Sequence, residues 1–101
     1  MYQQIVAEFT KCPRDLHTVP LRSKSYTWFH VFVENGNVMV EASRHNTPKS
    51  AVRRRVLHEK ECNTILEIYH RRLAGEKVSR EAKECTYSQI YWYGIFSEMK
   101  L

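Results

Sequence analysis

The dipeptide Asn35-Gly36 restricts the fold of this chain more than any other feature of its 101 residues. It separates two runs rich in β-branched and aromatic residues, 28–34 and 37–43. Asn-Gly is typical of a two-residue type I′ turn, because both residues tolerate positive φ. The sequence therefore predicts an antiparallel hairpin over residues 28–43 in which Val33 lies opposite Val38.

This register sorts the side chains of the hairpin onto two faces. The apolar face consists of Phe29, Val31, Val33, Val38, Val40 and Ala42. The other face is mixed, and it places His30 opposite Glu41 as a cross-strand polar pair. Because an isolated hairpin is only marginally stable, we expect the apolar face to pack on the helices that follow.

The segments on either side of the hairpin have weaker patterns. Ile5, Ala7 and Phe9 alternate, which predicts a short strand over residues 3–9. Residues 10–27 contain Pro13, Pro20 and scattered polar residues, and they are predicted to form a long irregular connection. Residues 44–57 form a basic connector, of which 51–57 suits either a helix that begins near Pro48 or a third strand.

Three helices are predicted after residue 57. Apolar residues at helical spacing run from about 58 to 74, where Gly75 is suited to end the helix in the left-handed conformation. Ser79 can cap a brief helix through Cys85, and a last helix runs from about 89 to 99. The predicted fold is α+β in a single domain, 1–101: a small antiparallel sheet in the β-rich part, 1–57, followed by a three-helix unit in 58–101.

The positive charge of the chain is concentrated in one segment. Residues 1–43 contain four basic and four acidic side chains, and residues 61–101 contain six of each. Residues 44–60 contain six basic side chains and one acidic, so they hold the whole net charge of +5. Such a segment is either a solvated connector or a strip that neutralises phosphates.

The three predicted helices, with a tight connection between the second and the third, resemble the helix-turn-helix superfamily over about residues 58–98. The resemblance depends on Ala82 as the small residue where two helices cross, and on Trp92 and Ile95 at inward positions ten and thirteen residues later. Thr86 stands where glycine is common, and Glu81 stands where an apolar residue is usual. The resemblance implies that the last helix enters the major groove, with Tyr87, Ser88, Gln89, Ile90 and Tyr93 facing outward.

These features together predict a small regulatory DNA-binding protein, with DNA favoured over RNA. Ser88 and Gln89 are candidates for base contacts, but their face has no arginine or lysine, so weak or A·T-biased readout is expected. The predicted nucleic-acid-binding residues are Arg44, Lys49, Arg53, Arg54, Arg55, Arg80, Lys83, Ser88, Gln89 and Tyr93. Replacing residues 53–55 by alanine should weaken binding to all sequences and flatten its salt dependence. A homodimer is compatible with a reader of two half-sites.

The aromatic C-terminal helix supports an alternative function. Five of the twelve aromatic residues lie in 87–96, and aromatic or apolar residues fall on both faces of the last helix. Such a helix is usually buried or pressed against a partner, and Tyr and Trp are favoured interface residues. The alternative is therefore a protein-interaction module, an inhibitor or adaptor, that uses Tyr87, Tyr91 and Tyr93. Filling of the core by the same rings is equally consistent with the pattern.

Other classes of function have little support in the sequence. The three cysteines are widely spaced and form no Cys-x-x-Cys pair, which favours a reduced cytoplasmic protein without a metal site. His45, Asn46 and His58 faintly suggest a one-metal nuclease but have no clearly placed acidic ligand. We expect no enzyme activity, no cofactor and no membrane span.

Overall fold

A computed structural model describes residues 1–21, 25–46 and 52–101. The chain is α+β: its described residues form an antiparallel sheet together with four helices, three of which follow the sheet. The sheet has the strand order β1-β2-β3-β4. Its strands are β1 (Arg14–His17), β2 (Trp28–Glu34), β3 (Asn37–Ala42) and β4 (Arg55–Leu57). The helices are α1 (Tyr2–Lys11), α2 (Glu59–Leu73), α3 (Ser79–Cys85) and α4 (Gln89–Met99).

The predicted hairpin is confirmed in both its turn and its register. Asn35 and Gly36 have φ of 53° and 76°, as a type I′ turn requires. Val33 pairs with Val38, and Val31 pairs with Val40. The central residues of the apolar face are buried, whereas Ala42 at its end is exposed.

The prediction of a strand over residues 3–9 is wrong, because this segment belongs to α1. Tyr2, Ile5 and Phe9 are buried at a spacing of three and four residues, and Ala7 is exposed. In so short a segment, Ile5 and Phe9 fit either an alternating strand or one face of a helix. Helix α1 then attaches to the sheet through the hydroxyl of Tyr2, which donates to Leu57 O (2.6 Å) and accepts from Val38 N (2.9 Å).

The predicted connection over residues 10–27 contains the strand β1, and its residues 22–24 lie outside the described residues. This strand pairs antiparallel with β2, so that Leu16 lies opposite Phe29 on the inward face of the sheet. The ambiguity over 51–57 is resolved in favour of a strand for residues 55–57, which pair with β3. The three C-terminal helices lie within one or two residues of their predicted bounds, and Gly75 has φ of 94°.

The core lies between the inward face of the sheet and helices α1, α2 and α4. Its largest fully buried side chains include Trp92, Phe9, Phe29 and Phe96. In the described part of the chain, no helix is long and apolar enough to cross a membrane. This packing leaves α3, the turn that follows it and the edge strand β4 at the surface, where the candidate site lies.

Candidate nucleic-acid interface

The basic segment is divided between the two faces of the sheet. Arg44 and Arg54 lie over the ring of Phe32 on the face opposite the core, 5.8 and 5.2 Å from its centroid. Each is also paired with a carboxylate: Arg44 with Glu41 at 2.8 Å, and Arg54 with Glu34. A phosphate must compete with these carboxylates for either guanidinium. Lys49, the other basic residue predicted near them, lies outside the described residues.

Arg55 lies on the core side of the edge strand β4, opposite Val40. Its guanidinium lies over the ring of Tyr91, 5.3 Å from the centroid, and Nη1 is 3.5 Å from Ser88 Oγ. Arg53 is exposed just before the strand. The predicted strip of three arginines is therefore split, because alternate residues of a strand point to opposite faces. Arg55 lies close to the start of α4.

A second group of basic residues surrounds a cleft next to this edge. The cleft has a volume of about 880 Å³ and lies between the first turn of α2, helix α3 and the turn 86–88. Lys60, Arg80 and Lys83 line it and are exposed. Among the described residues, none of the three makes an ion pair. We call these three residues together with Tyr87 the basic cleft.

Tyr87 is held outward by the local structure of the turn. Ser88 N donates to Thr86 Oγ1 at 3.0 Å, and Ser88 O accepts from the backbone N–H groups of Tyr91 and Trp92. Thr86 and Ser88 are both buried, so the residue between them points to solvent and is 92% exposed. Tyr87 thus presents a free aromatic ring on a fixed turn within the basic cleft.

The acidic residues of the cleft reduce its charge without cancelling it. Glu61 and Glu84 also line the cleft. Glu61 accepts a hydrogen bond from Trp92 Nε1 at 3.2 Å, which turns one of its oxygens toward the core. With three cations against two carboxylates, and with Arg55 next to Ser88 in the turn, the surface has a positive excess that favours an anionic ligand.

Helix α4, the predicted recognition helix, is more deeply buried than predicted. Residues 91–96 are all buried, so the rings of Tyr91 and Tyr93 pack in the core and expose little surface. Burial also raises the pKa of Tyr93, which keeps its phenol neutral. Ser88 and Tyr93 were expected to face outward and are instead 7% and 6% exposed. Gln89 is partly exposed, and Ile90 is exposed.

The residues that carry the helix-turn-helix resemblance have clear structural roles. Ala82, Trp92 and Ile95 are all buried. Glu81 lies on the surface and forms two hydrogen bonds with Arg71, at 2.7 and 2.8 Å, and this guanidinium lowers the pKa of the Glu81 carboxyl. The resemblance itself stays a prediction. Its proposed reading face is reduced to Tyr87, Ile90 and part of Gln89.

The histidine pairings differ from those predicted. His30 lies opposite Glu41 in the sheet, but its Nδ1 donates to Asp15 Oδ1 at 2.8 Å, while Glu41 pairs with Arg44. The backbone N–H of His45 and the side chain of Asn46 also bind Asp15, at 2.8 and 3.0 Å. Within residues 1–21, 25–46 and 52–101, no three His, Cys, Asp or Glu side chains converge as metal ligands.

Comparison with family models, curated proteins and solved structures finds no significant match to this chain. Of the predicted site residues, Arg80 and Lys83 lie together in the basic cleft, with Tyr87 from the alternative prediction. Lys60 was not predicted as a site residue, although it belongs to the basic segment 44–60, and the charge of that segment is the signal that identifies it.

Proposed function

We propose that this protein binds nucleic acid without sequence preference, through the phosphate backbone, at the basic cleft. The observation that carries the proposal is the 92% exposure of Tyr87 in a cleft lined by three basic side chains that make no ion pair with any described residue. Exposed lysine and arginine side chains bind phosphates and release counterions. DNA is the first ligand to be tested, and a regulatory role is compatible with binding of this kind.

The cationic side chains of the basic cleft and its exposed tyrosine both suit a polynucleotide. Arg44 and Arg54 must break an ion pair with a glutamate before they can bind a phosphate. Among the described residues, the three cations of the basic cleft have no such ion pair to break. A tyrosine ring fixed on a turn offers a surface on which an unpaired base can stack, and such stacking tolerates every base. The burial of Ser88 and Tyr93 removes two of the predicted reading residues. Backbone contact with little base discrimination is the function that this surface supports best.

Fluorescence anisotropy with a labelled random 20-base-pair duplex and a labelled 20-nucleotide oligo-dT strand tests the proposal. We expect Arg80→Ala/Lys83→Ala to weaken binding to both ligands roughly tenfold, because exposed charge pairs contribute about 0.2 to 1 kcal/mol each. Tyr87→Ala should weaken binding of the single strand more than that of the duplex, because only unpaired bases are free to stack.

A matched control removes the same charge elsewhere. Lys11 and Lys100 are exposed and lie outside the basic cleft. Lys100 has φ of 57°, so asparagine suits that position better than alanine. Lys11→Ala/Lys100→Asn should leave the affinity within about twofold. The proposal fails if both double variants weaken binding equally, or if the wild-type protein binds neither ligand at low salt.

A further inference from the structure

A second groove lies on the other side of α3 from the basic cleft. It has a volume of about 860 Å³ and is bounded by residues 18–21 after β1, the loop 75–78, helix α3 and the start of α4. A groove of this size accommodates a short peptide segment or a drug-sized ligand. Leu21, Lys77 and Ile90 line this groove and not the basic cleft.

Most of the lining surface of this groove is apolar. Leu21 is 67% exposed and Ile90 is 47% exposed, and Val19 and Val78 contribute further apolar surface. The ring of Tyr93 at the groove is covered by the guanidinium of Arg72, 4.6 Å from its centroid. Bases stack on free aromatic rings. Because the Tyr93 ring is already covered by Arg72, this mostly apolar lining suits the apolar side chains of a peptide better than it suits a base.

The rim of the groove is positively charged. Lys77, Arg80 and Lys83 lie along it and are exposed. Arg72 is fixed by donating to Val19 O at 2.7 Å, and it adds a fourth positive charge. The acidic residue that lines the groove, Glu76, is paired with Arg71 at 3.3 Å. The rim therefore complements a ligand that carries carboxylates.

An amide group in the groove has an unused hydrogen-bond acceptor. Gln89 lines the groove, and its Oε1 is buried without a hydrogen-bond donor among the described residues. A buried carbonyl oxygen ordinarily has a donor. The backbone N–H of a bound peptide can supply one where the Gln89 side chain turns its amide oxygen toward the groove. The groove thus combines apolar, cationic and acceptor groups at one place.

We infer that this groove binds an acidic peptide segment of a protein partner. An apolar side chain of the segment packs against Leu21 and Ile90, its carboxylates lie near Lys77, Arg80 and Lys83, and a backbone N–H donates to Gln89. This mode uses the surface beside α4 and not the buried rings of that helix. The groove shares Arg80 and Lys83 with the basic cleft, but Leu21, Lys77 and Ile90 lie outside that cleft, so variants at these three residues distinguish the two proposals.

Phage display of random 12-residue peptides against the immobilised full chain, followed by anisotropy with the enriched peptides, tests this inference. We expect enriched sequences to combine at least two Asp or Glu residues with a large apolar residue. Affinity should fall at least tenfold in Ile90→Asp and about fivefold in Lys77→Ala. Tyr87→Ala, which changes the neighbouring cleft, should leave the affinity for the peptide unchanged.

Variants with a wild-type circular dichroism spectrum and unfolding midpoint are compared, and Leu21→Ser serves as a second variant if Ile90→Asp does not fold. The inference is overturned if no acidic sequences are enriched, or if the enriched peptides bind Ile90→Asp and Lys77→Ala as tightly as wild type. It is also overturned if oligo-dT displaces the peptide and itself loses affinity in Ile90→Asp, because the groove then belongs to the nucleic-acid surface. Because Arg80 and Lys83 line both surfaces, Arg80→Ala/Lys83→Ala does not separate the two proposals, whereas Lys77→Ala changes only the groove and Tyr87→Ala changes only the basic cleft.

Discussion

Asp15 joins three separate parts of the chain through its carboxylate. The side chain is 3% exposed and accepts hydrogen bonds from His30, from the backbone of Arg44 and His45, and from Asn46. Burial by itself raises the pKa of this carboxyl. The backbone donors of His45 and Arg44, with His30 and Asn46, outweigh that effect and hold the pKa well below its usual range.

We predict that Asp15→Asn destabilises the protein by about 2 to 4 kcal/mol, because a buried ionised acceptor is lost and an amide N–H₂ meets several donors. The lowered pKa means that the ionised carboxylate stabilises the folded state above the unfolded-state pKa of about 3.9, and that this stability is lost as the pH falls through the folded-state pKa. Urea unfolding at several pH values measures both effects. The variant should show a flatter decline below pH 4 than wild type.

Glu34→Gln provides the control for this prediction. Glu34 is an exposed carboxylate paired with Arg54 at the surface, and such pairs contribute little to stability. Equal destabilisation by the two substitutions contradicts the role given to Asp15.

The sequence predicted the position of His30 opposite Glu41, because the register of a hairpin is a local property. It did not predict Asp15 as the partner of His30. Asp15 lies in β1, a strand of four residues with a single inward apolar residue, Leu16, and therefore no periodic signal.

Helix α4 crosses the sheet at Gly94, where the two backbones lie close together. A Cβ atom at this position meets His17 O at 2.9 Å and Phe29 Cζ at 2.8 Å. The oxygen belongs to the backbone of β1, so it cannot move away without disturbing the strand. Glycine is therefore required here for the close approach of α4 to the sheet, and this approach accounts for the burial of the middle of the helix.

We predict that Gly94→Ala lowers the free energy of unfolding by about 1 to 3 kcal/mol through overpacking. The sign is diagnostic, because glycine to alanine in an unhindered helix interior stabilises by roughly 0.5 to 1 kcal/mol. Thermal unfolding should show a midpoint lower by at least about 4 °C. The exposed Ser97→Ala in the same helix should change the midpoint little. An unchanged or raised midpoint in Gly94→Ala contradicts the close approach of α4 to β1.

Elements with local signals were predictable from the sequence. Asn35-Gly36 defined the hairpin, and apolar spacing defined α2 and α4. The elements that differed, α1 and β1, are short and owe their structure to partners distant in the chain. Tyr2 contacts residues 36 and 55 positions away, and β1 is completed by pairing with β2. Tertiary contacts of this kind leave no periodic pattern in a segment of four to ten residues.

At the level of the whole molecule, the charge of the basic segment pointed to an anionic ligand but not to the place where it binds. The fold divides residues 53–55 between two faces of the sheet and brings Lys60, from the same segment, next to Arg80 and Lys83. The pairing of Arg44 and Arg54 with glutamates depends on strand neighbours, which charge counts along the chain do not include. The sequence thus predicted Arg80 and Lys83 as individual residues, whereas their common site with Lys60 and Tyr87 required the structure.

The salt dependence of duplex binding tests whether the basic cleft neutralises phosphates. For wild type, the logarithm of the association constant should fall linearly with the logarithm of salt concentration, by about 0.9 for each phosphate contact. Arg80→Ala/Lys83→Ala should reduce this slope by about 2, while Lys11→Ala/Lys100→Asn leaves it unchanged. A slope that is the same in wild type and in Arg80→Ala/Lys83→Ala contradicts phosphate binding at the basic cleft.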